Sequence, residues 1–355
     1  MSLLEASDES AAVELLHELG CTDGLPVIVP TAERVERMAL ASGLDGDLVI
    51  GAMGPGLGAA TIEKVATAAV MAGCLPDYFP IVVAAVTAVC DPAFDLTEVQ
   101  ATTHCLAPLL IINGPARHSC GPVASGFGAL GPGFRPNATI GRALRLCMMN
   151  IGGARPGVSD MALLGHPGKF TYCLAEDEEH SPFEPLHVRR GFAPEDSVVT
   201  VVGVEAPHSA LCVTDADDQD SPMRLLRTIA GTLANVGSNN SHLRGGAAVV
   251  VLNPDHAAVL ATAGYDGNKV AEVLADLAGN TRAVMRSLSP PWGGSEPEGG
   301  FLRCFRDPKD VIVVQAGGGG LYSMVMPSWC AGPHRNPAVS ARIDVDQACA
   351  VPGMS

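Results

Sequence analysis

The chain has 355 residues, 47% of them apolar and 17% charged, which excludes a disordered polymer and leaves room for two lobes or one large domain. Lys and Arg number 22 against 38 Asp and Glu, a net charge of −16 with neutral His, so nucleic acid and anionic membrane are excluded as general partners. Residues 1–20 show no basic segment ahead of an apolar one, and the apolar stretch 65–90 is broken by Pro76, Asp77 and Pro80; a soluble, cytoplasmic protein is expected.

In chain order, Val13, Leu15, Leu16 and Leu19 recur at helical spacing, predicting a helix from Ser10 to Leu19 that Gly20 ends. Leu25 to Pro30 reads as a short strand, Thr31 as a weak helix cap, and Asp47 to Met53 as another strand. Helices follow over Ala60 to Cys74 and Tyr78 to Cys90, and the continuous apolar run Ala107 to Gly114 suits a buried parallel strand. A glycine-rich loop, 120–133, opens on a helix over Asn137 to Leu146. Residues 152–196, dense in Gly, Pro, His and acid, read as an ordered excursion across a site. Beyond them come strand Val198 to Val204, helix Pro222 to Asn235 and strand Ala247 to Leu252. Helices over Asp255 to Ala263 and Lys269 to Leu277, strands Asp310 to Gln315 and Leu321 to Met326, and an irregular tail after Trp329 complete the reading. The expected fold is therefore α/β, with an N-terminal lobe over 1–196 and a C-terminal lobe over 197–355, mixed or parallel sheets, and long Gly/Pro-rich site loops.

Eleven cysteines without a CxxC pair read as reduced thiols rather than as a disulfide frame or a zinc ribbon. Forty glycines, 27 prolines and only 4% aromatic residues favour backbone-lined small-molecule sites, hence an enzyme. No GxSxG elbow, HExxH or Walker sequence is present.

The first constellation is Gly131-Pro-Gly-Phe-Arg-Pro-Asn-Ala-Thr-Ile-Gly-Arg142, a glycine loop entering a helix, where free N–H groups with Arg135, Asn137, Thr139 and Arg142 would cradle an anion. The competing account is an ordinary capped helix with surface arginines. Gln100-Ala-Thr-Thr-His-Cys105 places His104 beside hydroxyls at a strand edge, suited to a base or ligand, although a satisfied turn has the same sequence. In Phe170-Thr-Tyr-Cys-Leu-Ala-Glu-Asp-Glu-Glu-His180, followed by Ser181-Pro-Phe-Glu-Pro-Leu-His187, carboxylates stand beside imidazoles, with Glu176 and Glu178 on one face if extended, which suits a metal or an acid–base pair, while consecutive acids also form plain solvated turns. Cys74, closing a helix, and Cys173 are the thiol candidates, each weighed against simple burial. Two further segments, 239–246 and the loop 290–300, offer lid or wall elements, with plain surface loops as the alternative, and the glycines 317–320 offer backbone N–H groups to an anion, with a tight turn as the alternative.

Taken together, Asp23-Gly-Leu-Pro-Val-Ile-Val-Pro-Thr31, Val70-Met-Ala-Gly-Cys-Leu-Pro76, Gln100 to His104, Gly131 to Arg142, and Gly168 to Phe170 through Glu184-Pro-Leu-His187 resemble a poorly characterised bacterial family. It is the family associated with UGSC-motif (seleno)proteins, small proteins bearing a selenocysteine- or cysteine-Gly-Ser-Cys motif. The resemblance spans most of the chain and is strongest over 23–192. It places Cys74, His104, Asn137, Arg142, Lys169, Cys173 and Glu176 on matching phrases, with His118-Ser-Cys120 as a departure, and implies thiol-assisted or redox chemistry and a small thiol partner protein.

The leading expectation is an enzyme in which Arg135, Asn137, Thr139, Arg142 and Lys169 hold a small anionic substrate, His104 or Glu176 moves a proton, and Cys74 or Cys173 supplies a thiolate. The reaction class is thiol-dependent redox or carbon–heteroatom bond cleavage, oxidoreductase or lyase ahead of hydrolase. A second reading is a metal-dependent hydrolase or lyase whose transition metal is held by His104, Cys173, Glu176 and His180. A third is a non-catalytic subunit that binds the thiol partner. Assembly with identical copies is the general expectation for such an enzyme.

Overall fold

The computed structural model describes residues 4–215, 217–288 and 300–345; the 290–300 loop named above falls outside them except at Gly300. Twelve strands are present among the described residues: β1 (Val49–Met53), β2 (Gly58–Thr61), β3 (Ala107–Asn113), β4 (Cys173–Ala175), β5 (Val198–Val204), β6 (His208–Leu211), β7 (Ala248–Leu252), β8 (Gly279–Thr281), β9 (Phe301–Arg303), β10 (Val311–Gln315), β11 (Tyr322–Met326) and β12 (Val339–Arg342). Two four-stranded sheets carry the architecture, ordered β12-β5-β3-β4 and β10-β7-β11-β6, and β1-β2 and β8-β9 form small antiparallel pairs. In each large sheet one parallel pair, β3 with β4 or β7 with β10, joins antiparallel neighbours, so both sheets are mixed.

Strand periodicity explains how the layers stack. Along β3, Leu109 and Ile111 face one way while Leu110 and Ile112 face the other; Val249 and Val251 alternate with Val250 and Leu252 on β7, and Ile312 and Val314 with Val311 and Val313 on β10. One set from each sheet meets in a shared core containing Leu109, Ile111, Val202, Val249, Val251, Ile312, Val314 and Met326, so the two sheets pack face to face. The opposite face of the first sheet is covered by helices Ile62–Ala72, Phe79–Cys90 and Arg135–Asn150, and that of the second by Ser221–Leu233, Pro254–Thr262 and Gly267–Leu277. The result is four layers, helix, sheet, sheet and helix. Strands buried on both faces read as unbroken apolar runs, which is why β3, β5, β7 and β10 are evident from sequence.

The expected division at 196/197 falls between two strands of one sheet, because β5 pairs along its whole length with β3, and β12 returns from near the C-terminus to pair with β5. The tail after Trp329 is correspondingly not irregular throughout. The segment 25–30 forms no strand: Pro26 and Pro30 have no N–H to donate to a ladder, and Ile28 makes a single backbone bond, to the Met71 carbonyl. The first helix runs Glu9–Glu18 and is capped by Asp8, whose carboxylate accepts from the Ala11 N–H. Among the described residues no helix is long and apolar enough to cross a membrane.

Candidate functional site

The parallel register of β3 and β4 pairs Ile112 with Ala175. It therefore sets the next residues, Asn113 and Glu176, side by side at the carboxyl ends of the two strands, and the Glu176 N–H donates to the Ile112 carbonyl at 3.1 Å. One residue further, the Asp177 N–H donates to the carbonyl of Gln315, the last residue of β10, at 2.9 Å. The carboxyl ends of strands from both sheets thus converge, the position where α/β proteins commonly place ligands.

Glu176 is fully buried. Its Oε2 accepts from Asn113 Nδ2 at 2.6 Å and from the Leu186 N–H at 2.8 Å, while Oε1 has no hydrogen-bond partner among the described residues. Burial pushes this carboxyl up to about 7, against the opposing pull of Arg189, the Leu186 N–H and Asn113. Asn113 Nδ2 also donates to Glu178 Oε1 at 2.8 Å, as does the Gly114 N–H at 2.8 Å. Buried Arg117 closes the network: its Nη2 donates to Glu178 Oε2 (3.0 Å) and Glu179 Oε1 (2.8 Å), its Nη1 to Glu179 Oε2 (2.8 Å) and the Glu176 carbonyl (3.2 Å), and its Nε to the Gly114 carbonyl (3.1 Å). The bond from Arg117 holds Glu179 down at about 2. His187 Nε2 donates to the Pro194 carbonyl at 3.3 Å, which leaves Nδ1 without a partner, 3.9 Å from Glu178 Oε1. Asn113 Oδ1 and both side-chain polar atoms of Gln315 are also buried without partners among the described residues. Natural interiors seldom leave such groups unpaired, and four residues that do so, Asn113, Glu176, His187 and Gln315, lie together at these strand ends.

Two glycine-rich loops cover the same end. The Ala175 N–H donates to the Ala124 carbonyl, and the Gly317 N–H donates to the Ser125 carbonyl at 2.7 Å. Phe127 lies against Gly318 so closely that a Cβ at that glycine would sit 1.9 Å from its ring.

The residues expected from sequence are distributed differently. Asn137 is buried in the first turn of its helix; its Oδ1 accepts from the Ala124 N–H at 2.8 Å and its Nδ2 donates to the carbonyls of Ala124, Ala129 and Cys173. It pins the glycine loop and has no N–H left for an anion. Arg135 donates twice to the Gly73 carbonyl, Thr139 to the Arg135 carbonyl, and Arg142 to both carboxylate oxygens of Asp23 at 2.8 Å. Lys169 Nζ donates to Asp160 Oδ1 at 2.9 Å and the Leu106 carbonyl. The anion cradle of residues 131–142 is therefore spent on internal acceptors, and the capped-helix account describes it better. Replacing Asn137 with Ala leaves three carbonyls and one N–H to find new partners; a loss of about 2–4 kcal/mol is expected, checked by urea unfolding of both proteins.

His104 lies before the start of β3, about 20 Å of strand from Asn113. Its Nε2 is 3.0 Å from Glu205 Oε1 and its Nδ1 contacts Asn239, so neither nitrogen is open. His180 is exposed, with Nδ1 2.8 Å from Asp177 Oδ1. Cys173 points from β4 into the helical layer, whereas Glu176 bonds Asn113 and Leu186 on the sheet-to-sheet side. The four expected metal ligands do not converge, and no group of three or more His, Cys, Asp or Glu suited to a metal occurs among the described residues. Cys74 and Cys173 are both buried. Burial pushes the Cys74 thiol up to about 12, outweighing the Thr139 hydroxyl and the Arg135 and Arg142 charges, and it raises Cys173 as well. Iodoacetamide applied to the native protein at pH 8 is accordingly expected to leave both thiols unmodified when peptides are read by mass spectrometry, while unfolded protein labels at both.

Of the expected catalytic residues, the structure brings only Glu176 into the strand-end network. Glu178 and His187 lie in the acidic and imidazole-bearing segment that the sequence marks, whereas Asn113, Arg117, Arg189 and Gln315 are not among the residues that it singles out. The available signal was a polar residue ending an apolar strand, as in Leu109-Leu-Ile-Ile-Asn113 and Val311-Ile-Val-Val-Gln315. Comparison with known proteins gives no match to this chain, whether family models, curated proteins or solved structures.

Proposed function

We propose that the protein is an enzyme that moves a proton through Glu176 during carbon–heteroatom bond cleavage in a small molecule. The observation that carries this reading is a fully buried carboxyl with one oxygen held by two donors and the other unbonded, titrating near neutrality. At pH 7 such a group is present in both forms, the condition under which one side chain serves as base and then as acid. Glu176 Oε1 takes the proton from a substrate carbon, the C–H electron pair forms a C=C bond to the neighbouring carbon as the heteroatom group leaves with the pair of its own bond, and Glu176 returns the proton to that departing heteroatom. Asn113 and the Leu186 N–H fix the carboxyl so that Oε1 is the atom presented. Arg117 neutralises Glu178 and Glu179, limiting the repulsion they exert on the ionised form of Glu176.

Thiol-dependent redox chemistry, the other half of the leading expectation, has less support because Cys74 and Cys173 are buried and rich in the neutral thiol. The test is proton NMR in D₂O with a panel of small carboxylates and phosphate esters, comparing the wild type with Glu176→Gln. Turnover or deuterium wash-in by the wild type, reduced more than about 100-fold in the variant, supports the reading. A variant that retains turnover, or activity that survives Glu176→Gln but disappears on alkylation of the thiols, overturns it.

A further inference from the structure

The Leu186–Arg189 helix also lines a cavity of about 600 Å³, large enough for a metabolite rather than a water cluster. It shares two residues with the site above: the Leu186 N–H holds Glu176 Oε2, and the Arg189 charge acts on Glu176. The remaining lining is unusual for a chain of net charge −16, because Arg190 and Lys309 add two more cations.

These cations are incompletely neutralised. Arg189 Nε donates to the Glu184 carbonyl at 2.9 Å and Nη2 to the Val313 carbonyl, both neutral acceptors. Arg190 likewise donates to Ser340 Oγ at 2.8 Å and the Ala338 carbonyl at 2.9 Å. Among the described residues neither guanidinium has a carboxylate within ion-pair distance, and the Lys309 ammonium has no bonded partner. Of the two acids lining the cavity, Glu272 is paired with Lys269 at 2.9 Å, and the Asp307 carboxylate accepts the Lys309 N–H at 2.9 Å.

The backbone adds to this. Arg189 packs against Gly267, the first residue of the Gly267–Leu277 helix: a Cβ there would lie 3.0 Å from its guanidinium carbon. The Asp266 carboxylate caps this helix, accepting from the Lys269 N–H at 2.7 Å, and its charge acts on Arg189 without reaching ion-pair distance, while Asn268 opens the first turn onto the same cavity. Two arginines hydrogen-bonded only to neutral acceptors and a lysine whose ammonium has no bonded partner among the described residues, around one hollow, have a common complement, an anion.

We infer that this cavity binds a small organic polyanion, with Arg189 and Arg190 taking one carboxylate or phosphate group and Lys309 meeting a second. The inference deepens the reading of Glu176 and rests on it for the ligand's role as substrate; binding itself can be measured without turnover. Arginine donors favour planar or tetrahedral oxyanions, so both carboxylates and phosphates belong to the class.

The probes are citrate and inorganic pyrophosphate, with glycerol as the neutral control, in calorimetric titrations of the whole chain at low ionic strength. At least one anion is expected to bind with a dissociation constant near or below about 1 mM. Binding should weaken about tenfold in Arg190→Gln and severalfold in Lys309→Gln, and persist in Glu176→Gln. Lys309 makes no side-chain bond among the described residues, so its variant separates lost binding from lost structure. The tighter probe identifies carboxylate or phosphate chemistry. Failure of both anions to bind more tightly than glycerol overturns the inference, as does wild-type affinity in Lys309→Gln and Arg190→Gln together. Anion binding by a protein whose Glu176→Gln variant turns over normally leaves the cavity assigned and overturns only the catalytic reading.

Discussion

Glu176→Gln is expected to melt higher than the wild type, by an amount that grows with pH. The buried carboxyl titrates near 7 in the folded chain against an ordinary value of 4.5, so the native state holds its proton more tightly than the unfolded state does. Between those two values folding therefore loses stability as pH rises, and above 7 the penalty is fully present. Each pH unit crossed in that interval costs about 1.4 kcal/mol, and relaxation around a buried charge reduces the total, so roughly 2–3 kcal/mol is recovered at pH 8 by the neutral isostere. Below pH 5 the native carboxyl is already protonated and the gain shrinks to less than about 1 kcal/mol. Scanning calorimetry at pH 5 and pH 8 decides the matter, with a rise in melting temperature of roughly 3–5 °C expected at the higher pH. Parallel melting curves at both pH values would show that Glu176 is not held as described. A variant that is more stable and less active has the signature of a residue retained for chemistry rather than for folding.

Arg117→Met should have the opposite effect and a larger one. Arg117 is buried and donates to two carboxylates and two carbonyls, and methionine fills its volume without replacing any of these bonds. The largely buried Glu178 then loses its ion-pair partner, and half-exposed Glu179 keeps only its contact with His118, an arrangement that costs about 3–5 kcal/mol. The expected result is a drop in melting temperature of roughly 5–8 °C at pH 7.5. Part of the loss should return at pH 5, because Glu179, freed from the Arg117 bond that holds it low, takes up its proton more readily. In the wild type the Arg117 bond keeps Glu179 low, so its contribution is present at pH 4.5 and lost only as pH falls towards 2. A variant whose deficit is the same at pH 5 and 7.5 would assign Arg117 a packing role instead.

The fold and the site are legible to different degrees because different forces write them. Continuous apolar runs such as Val198–Val204 and Val311–Gln315 announce themselves, since strands buried between two layers have no polar face to interrupt the pattern. Short strands such as Cys173–Ala175 and Val339–Arg342 carry too few residues for a period to emerge, and their pairing depends on partners far away in sequence. Glu176 stands out among four consecutive acids, yet its partner Asn113 does not, because their proximity is a property of strand register. The arginines illustrate the reverse error. Arg135 and Arg142 beside a glycine loop look like ligand donors, but Gly73 and Asp23, distant in sequence, use them first. Polar residues at the ends of apolar strands are the better guide to the site.

The return of β12 to the edge of β5 also bears on synthesis. Strands β3, β4 and β5 leave the ribosome well before residues 339–342 do, so β5 must wait with one side of its backbone unpaired while more than a third of the protein is still being made. An apolar strand with an open edge is a template for pairing with another chain. Premature termination before residue 339 would make that exposure permanent, leaving a nearly full-length product that associates through β5 instead of folding alone.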